Sequence, residues 1–191
     1  MTSLSTSQEA RRGRVIAAAF ELGAKGGYDA VQMRDVATTA DVALGTIYRY
    51  FSSKDHLLAE AQVEWVRDLS RRVAARPPRS GTTTDRVIEV LRRATRAMEA
   101  EPKLAEALVT ALASRDVHAA RCQAEIGAAM AETLSLAFPD DFDPATEADI
   151  TRTLGHVWFS SLVGWVNNWF GITKAADELE IACHLLLDQY D

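Results

Sequence analysis

Cysteine is scarce in this chain. Cys122 and Cys183 are the only two, far apart and without neighbours at metal-ligand spacing. That count excludes a disulfide-stapled scaffold and fits reduced thiols in a cytoplasmic protein. Proline is nearly as sparse, with 5 in 191 residues, so helices meet few obligatory breaks. The most apolar stretch, residues 156–172, is interrupted by Ser160, Ser161, Asn167 and Asn168, which argues against a membrane span. No apolar run follows a basic N-terminal segment, so no secretory leader is expected. Strand-like alternation is missing and Ala, Leu and Val dominate, which predicts an all-α fold. There is no HExxH, no paired cysteine ligand set and no phosphate-cradling glycine loop, and His56, His118, His156 and His184 are scattered along the sequence. The expectation is therefore no enzyme, no metal and no cofactor.

Charge is what the chain has unevenly. The formal net charge is −6. Residues 1–76 hold 11 basic against 9 acidic side chains, and residues 77–191 hold 10 against 18. The acidity lies in the C-terminal part, which points to two regions with different partners. Arg76-Pro77-Pro78-Arg79-Ser80-Gly81 is the clearest break between helical patterns.

The most informative segment is MRDVATTADVALGTIYRYFSSK, residues 33–54. Val36, Ala37 and Ala40 form one apolar stripe, and Ile47 with Phe51 (i, i+4) forms another. Asp41-Val42-Ala43 leaves room only for a sharp reversal, with Asp41 in a left-handed conformation that Asp tolerates. The layout is that of a helix-turn-helix, whose second helix enters the DNA major groove. Gly45 allows close approach of backbone to another surface. The candidates for base readout are Leu44, Gly45, Thr46 and Tyr48, with Arg34 at the head of the preceding helix; Tyr50 and Lys54 are the candidates for phosphate contact. Ser52 or Ser53 caps the next helix. A helical adaptor that binds protein through the same hairpin is the rival reading.

Two stretches resemble the TetR family of bacterial repressors: ADVALGTIYRYFSSKDHLL (residues 40–58) and GGYDAVQMRDVA (26–37). The resemblance implies a three-helix DNA-binding domain, set at residues 8–55, and a larger helical ligand-binding and dimerisation domain, 56–191. The family usually carries Thr near Gln32, Gly at Asp41, and Ser then a polar residue at Ala43-Leu44. Gln32 is a poorer cap than Thr, Ala43 cannot cap at all, and Leu44 favours apolar contact with thymine methyls.

Upstream, a polar and mobile lead-in is expected over residues 1–8, then a helix over 9–24 closed by a left-handed cap at Gly26-Gly27. Arg11, Arg12 and Arg14 at its start are read either as solvated charge or as a phosphate-contacting arm. Downstream, helical patterns cover 54–75 (Leu57, Leu58, Ala61, Trp65 and Leu69 inward), 84–100, 102–113, 116–138 (Val117, Ile126, Met130 and Leu134 inward), 145–170, and 173–190 (Ala176, Leu179, Cys183 and Leu186 inward). In 145–170 the aromatics cover two faces, one with Trp158, Leu162, Trp165 and Trp169 and the other with Phe159, Val166 and Phe170. A helix that is apolar over so much of its circumference needs partners on both sides.

The family resemblance implies that the last two helices pair across a two-fold axis, giving a homodimer, and that a ligand sits among the preceding helices. A dimer also suits DNA geometry, because two copies read a palindromic double-stranded operator. With about four phosphate contacts per half, log affinity would fall with log salt at a slope near ~−7. Candidate ligand-lining residues are Met98, Leu104, Leu108, Leu112, Met130, Trp158, Leu162 and Trp165. The set suits a small, bulky hydrophobic effector, since burying ~300 Å² grosses about 7 kcal/mol before association costs. RAMEAEPKLAEAL (96–108) and VWFSSLVGW (157–165), with Asp41 and Ala43, are similar to a group within the family, the actinobacterial repressors of cholesterol catabolism. That similarity implies a steroid-derived coenzyme A thioester as effector. A regulator of efflux or of another pathway, with a different hydrophobic ligand, is the alternative within the family.

Overall fold

The computed structural model describes residues 6–191. Their order is α1 (Thr6–Ala30), α2 (Met33–Thr39), α3 (Leu44–Tyr50), α4 (Lys54–Ala75), α5 (Thr83–Glu99), α6 (Pro102–Leu112), α7 (Val117–Ser135), α8 (Pro144–Val166) and α9 (Ile172–Leu187), then a 3-10 turn at Asp188–Tyr190. Among the described residues there is no strand, as expected for an all-α chain. No described helix is long and apolar enough to cross a membrane. The lead-in expected over 1–8 falls partly on residues 1–5, outside the described residues; Thr6 to Gln8 already belong to α1.

Two compact units form. One comprises the chain up to Val63 together with Glu101–Gln123, and the other Glu64–Ala100 together with Ala124–Asp191. In the first, Val15, Ile16 and Ala19 of α1 join Val36, Ala37 and Ala40 of α2, Ile47 and Phe51 at α3, and Leu57, Leu58 and Ala61 of α4 in one core. Leu104, Ala107, Leu108 and Ala111 of α6 complete it. Gly23 explains how α6 comes so close: a Cβ there would lie 3.1 Å from Leu104 Cδ1. Lys103 adds a hydrogen bond from Nζ to the Lys25 carbonyl at 3.0 Å.

The break expected in α1 occurs at Gly26-Gly27, but it is no left-handed cap. Gly27 has φ 71° and ψ −161°, a region only glycine occupies readily. A helical turn resumes after it and carries the element to Ala30. Tyr28 thereby reaches α4.

α2 and α3 have seven residues each and no side-chain cap from Gln32 or Ala43. Helices that short do not persist alone; tertiary burial holds them. Ile47 and Phe51 are fully buried, each gaining about 2–3 kcal/mol from removal of apolar surface. Asp41 turns the chain at φ 51°, as the sequence predicts. Ser53 caps α4, its Oγ accepting from His56 N at 3.0 Å.

In the second unit α5 packs on α9, and α9 on α8. Thr82 and Asp85 form a reciprocal capping box at the head of α5, and the Asp191 carboxylate accepts from Thr83 N at 2.7 Å. α7, whose residues up to Gln123 belong to the first unit, begins after Asp116, whose Oδ1 accepts from His118 N at 2.7 Å. Val117, expected inward, is exposed, and Ile126 is half-buried; Met130 and Leu134 are buried. Trp65 of α4 is likewise only half-buried. The long helix expected over 145–170 stops at Val166. Asn168 adopts φ 59° and Trp169 N donates to Gly164 O at 2.9 Å, so an asparagine takes the place glycine commonly holds after a helix. Trp169 and Phe170 therefore leave the two faces assigned to them. In α9 the buried line is Ala175, Leu179, Cys183 and Leu187, with Ala176 and Leu186 half-buried beside it. Burial, with Glu180 nearby, pushes the Cys183 thiol up to about 12, which makes it unreactive.

Candidate nucleic-acid interface and effector region

Because Ile47 and Phe51 bind α3 to the core from one side, the opposite side of the helix faces away. Gly45, Tyr48 and Arg49 are exposed, and Tyr48 is 53% accessible, unusual for a large aromatic ring. Nothing lies within 4 Å of where a Gly45 Cβ would stand. The protein's own packing thus does not require glycine here. Thr46 and Tyr50 are half-buried. Arg49 covers Tyr50, its guanidinium 5.2 Å from the ring centre and donating to the phenol oxygen at 3.4 Å.

Arg34 and Leu44, from different helices, flank the same turn. With Thr38, Asp41, Val42 and Ala43 they line one open groove. Leu44 is half-buried and packs against the core, so it offers an edge of its side chain, not the whole. Lys54 is half-buried and turned to Tyr28. The seven candidates thus fall into an outward set (Arg34, Gly45, Tyr48) and a partly engaged set (Leu44, Thr46, Tyr50, Lys54). Arg49 and Thr38 join the exposed set; the amphipathic pattern could have named both.

Of the arginines at the start of α1, Arg11 is exposed. Arg12 pairs with Glu60, and Arg14 donates from Nε to the Ala40 carbonyl at 3.2 Å, closing the end of α2. The Glu60 carboxyl is held below the usual carboxylate range by its hydrogen bond to His56, against the opposing effect of burial, with Arg12 adding to the lowering. Ser53 Oγ donates to Asp116 at 2.6 Å, and this bond, opposed by burial, is the main reason the Asp116 carboxyl also titrates low. Histidines that look scattered in sequence are not all scattered in space: the His56 and His118 rings stack with centres 4.8 Å apart.

The candidate effector residues separate by unit. Leu104, Leu108 and Leu112 of α6 are buried in the first, and Leu104 and Leu108 belong to the core that carries α2 and α3. Met98, Met130, Trp158 and Leu162 are buried in the second, and Trp165 is half-buried. In that unit the Trp158 indole Nε1 and the Thr95 hydroxyl are buried and find no partner in the protein. Buried polar atoms are normally satisfied, so these two mark places suited to a polar group from outside the chain. His156 is exposed.

Known proteins share this geometry. The model for tetR-family bacterial regulatory proteins matches residues 15–61, and the model for the tetracyclin repressor-like C-terminal domain matches residues 81–186. The chain is 38% identical over 183 residues to the HTH-type transcriptional repressor KstR of Rhodococcus jostii, covering 96% of this chain and 85% of that one. A TetR transcriptional regulator from Rhodococcus sp. RHA1 superposes with a TM-score of 0.86 at 29% identity, covering 97% of this chain and 100% of that one. The repressor FadR of Thermus thermophilus, solved in complex with lauroyl-CoA, shares the fold with a TM-score of 0.67 at 22% identity, over 94% of this chain and 95% of that one. An α2-turn-α3 reading head matched by one family model and a C-terminal region matched by the other lead to one conclusion: the chain belongs to the TetR family of bacterial transcriptional regulators.

Proposed function

We propose that this protein is a ligand-responsive repressor that binds palindromic operator DNA as a homodimer and is released by a bulky apolar acid carried as its coenzyme A thioester, steroid-derived in the first instance. The observation that carries the DNA half is the outward set on α3. Tyr48 and Arg49 project from a helix whose other side is locked by Ile47 and Phe51, while bare Gly45 lets backbone come close to a groove edge. Arg34, Gly45 and Tyr48 read base edges. Leu44 and Thr46 add contacts from the rim, and Tyr50 and Lys54 hold phosphates. The DNA-binding part takes in residues 8–55.

The dimer reading draws support from apolar side chains left outside on the second unit. Ile181 and Leu185, one turn apart on α9, are 59% and 76% accessible, and Trp169 is exposed beyond α8. Large apolar side chains left this accessible favour an association surface on this unit. The effector reading draws support from the relatives: several are repressors named KstR, and the Thermus FadR holds lauroyl-CoA. Within this chain, Met98, Met130, Trp158, Leu162 and Trp165 supply the apolar surroundings in the second unit, and Leu104, Leu108 and Leu112 lie on α6. Because α6 packs against α1 through Leu104 and Gly23, a displacement of α6 reaches the helices that carry α3.

The mechanism is a population shift, so the coupling is reciprocal: operator must weaken effector binding by the factor with which effector weakens operator binding. The test is a gel-shift titration on the chain's own upstream DNA, repeated across salt concentrations and with a steroid acyl-CoA added. A slope near ~−7 in log affinity against log salt, and release by the thioester, are expected. Salt-independent binding would favour the protein-binding adaptor. Release by an unrelated apolar compound alone would move the assignment to the efflux-type alternative.

A further inference from the structure

His56, Glu60 and Cys122 each bring one ligand atom to a common point, all within 4.8 Å of one another. His56 and Glu60 lie one turn apart on α4, and Cys122 comes from α7, within the same compact unit. His56 and Glu60 are half-buried and Cys122 is 2% exposed. We propose that imidazole, carboxylate and thiolate here form a three-ligand site for a borderline-soft divalent transition-metal ion, Zn²⁺ foremost, and that its occupancy acts on the joint behind α3.

The donor set argues for the class of ion. Nitrogen, oxygen and sulfur together suit Zn²⁺ and its neighbours, not Mg²⁺ or Ca²⁺, which take oxygen. Distances argue for feasibility. Bond lengths of about 2.0–2.1 Å to nitrogen and about 2.3 Å to sulfur place tetrahedral ligand atoms roughly 3.5 Å apart. His56 Nε2 and Glu60 Oε1 already stand 3.6 Å apart, and side-chain shifts on the order of 1 Å bring the sulfur in. Arg12 pairs with the other Glu60 oxygen, which leaves Oε1 as a single-oxygen ligand. Cys122 binds as thiolate and gives its proton to solvent. The fourth position takes water.

The link to α3 runs through the second ring nitrogen. In the structure His56 Nδ1 accepts the Ser52 backbone N–H at 3.1 Å, with Ser52 Oγ at 3.2 Å. A neutral histidine that ligates through Nε2 carries its proton on Nδ1. Nδ1 then donates to Ser52 Oγ and stops accepting from the Ser52 amide. Ser52 follows Phe51, the last anchor of α3. An ion on Nε2 therefore removes one hydrogen bond from the segment that fixes where α3 points. Chain spacing gives no sign of the site, because its third ligand lies far downstream in sequence.

The experiment uses the full-length protein, stripped with chelator and titrated with Co²⁺ as the probe. Expected are one Co²⁺ per chain, a thiolate-to-cobalt charge-transfer band, intense tetrahedral d–d absorption, and displacement of cobalt by Zn²⁺. Cys122→Ser should abolish the charge-transfer band and weaken binding at least tenfold, and Cys183→Ser should leave both unchanged. If Cys122→Ser does not fold, His56→Asn must weaken Co²⁺ binding at least tenfold. A wild-type protein without a sulfur band overturns the site, as does a band lost in Cys183→Ser or retained in Cys122→Ser. The second arm rests on the DNA-binding reading: operator affinity should change at least threefold on adding Zn²⁺ to wild type and not in Cys122→Ser. Equal affinity with and without Zn²⁺ in a chain that binds Co²⁺ as expected overturns the coupling to α3 alone.

Discussion

Lys54 Nζ sits 3.6 Å from the centre of the Tyr28 ring and donates a hydrogen bond to the Tyr28 carbonyl at 3.2 Å. One residue on, Asp55 Oδ1 accepts from the Tyr28 phenol at 2.5 Å. The single turn after Gly27 is thereby tied to the head of α4 by three contacts. Lys54 is therefore a structural cation, whatever else it contacts.

Tyr28→Phe keeps the ring under Lys54 and removes only the phenol–carboxylate bond. It should cost about 1 kcal/mol in chemical denaturation. Burial first, then the hydrogen bond to and charge of Asp55, push the phenol up to about 12. The raised value means the folded state holds this proton more tightly than the unfolded chain does, where tyrosine loses it near ~10. Its contribution is therefore complete below pH ~10 and lost as pH rises toward about 12. Wild type minus Tyr28→Phe should show a stability difference that shrinks across that window. A constant difference would contradict the linkage.

Tyr48→Ala should weaken operator binding by about 5- to 100-fold, the range for losing one base-edge contact, while leaving the melting temperature within about 2 °C, as for an exposed position. Fluorescence anisotropy and thermal unfolding read the two effects separately. Unchanged affinity would remove Tyr48 from the interface.

Ile181→Glu with Leu185→Glu places two charges on the exposed stripe of α9. Sedimentation velocity at micromolar concentration should show monomer where wild type shows dimer, with the circular dichroism spectrum preserved. A variant that stays dimeric would place the two-fold contact elsewhere.

Asp41 holds φ 51°, a conformation that costs a residue with a Cβ about 1 kcal/mol unless its side chain helps. Asp41→Ala should lose about 1 kcal/mol, and Asp41→Gly should be neutral or gain up to about 0.5. Denaturant midpoints for the pair decide it; an alanine variant as stable as the glycine one would show the turn to be unstrained.

The α2-turn-α3 geometry is legible in the sequence because each of its residues answers a local demand: Ile47 and Phe51 at i, i+4, Asp41 where φ is positive, no cap at Gln32 or Ala43. Local patterns also place α4 and the start of α8, which begins at Pro144, one residue before the expected 145. They fail where a distant partner decides. Nothing in the periodicity of 102–112 says that Leu104 seats against Gly23. The stop at Asn168 competes with an apolar pattern that continues through Phe170, and backbone conformation wins there over hydrophobic spacing. The left-handed turn at Asp41 shows in the sequence because it stands between two stripes; Asn168 lies inside one and gives no such sign. His56 meeting Cys122 is a property of tertiary packing, invisible to any count of spacing.

The seat of α6 on α1 limits what can be cut from this protein. A fragment ending at Val63 would contain all of α2 and α3, yet it would bare the apolar lane along Gly23 and Val31 that Leu104 and Ala107 cover. Transplanting the reading head into a chimera therefore requires carrying the later segment Glu101–Gln123 with it. A graft made at the Pro77-Pro78 break alone would leave that lane without its cover.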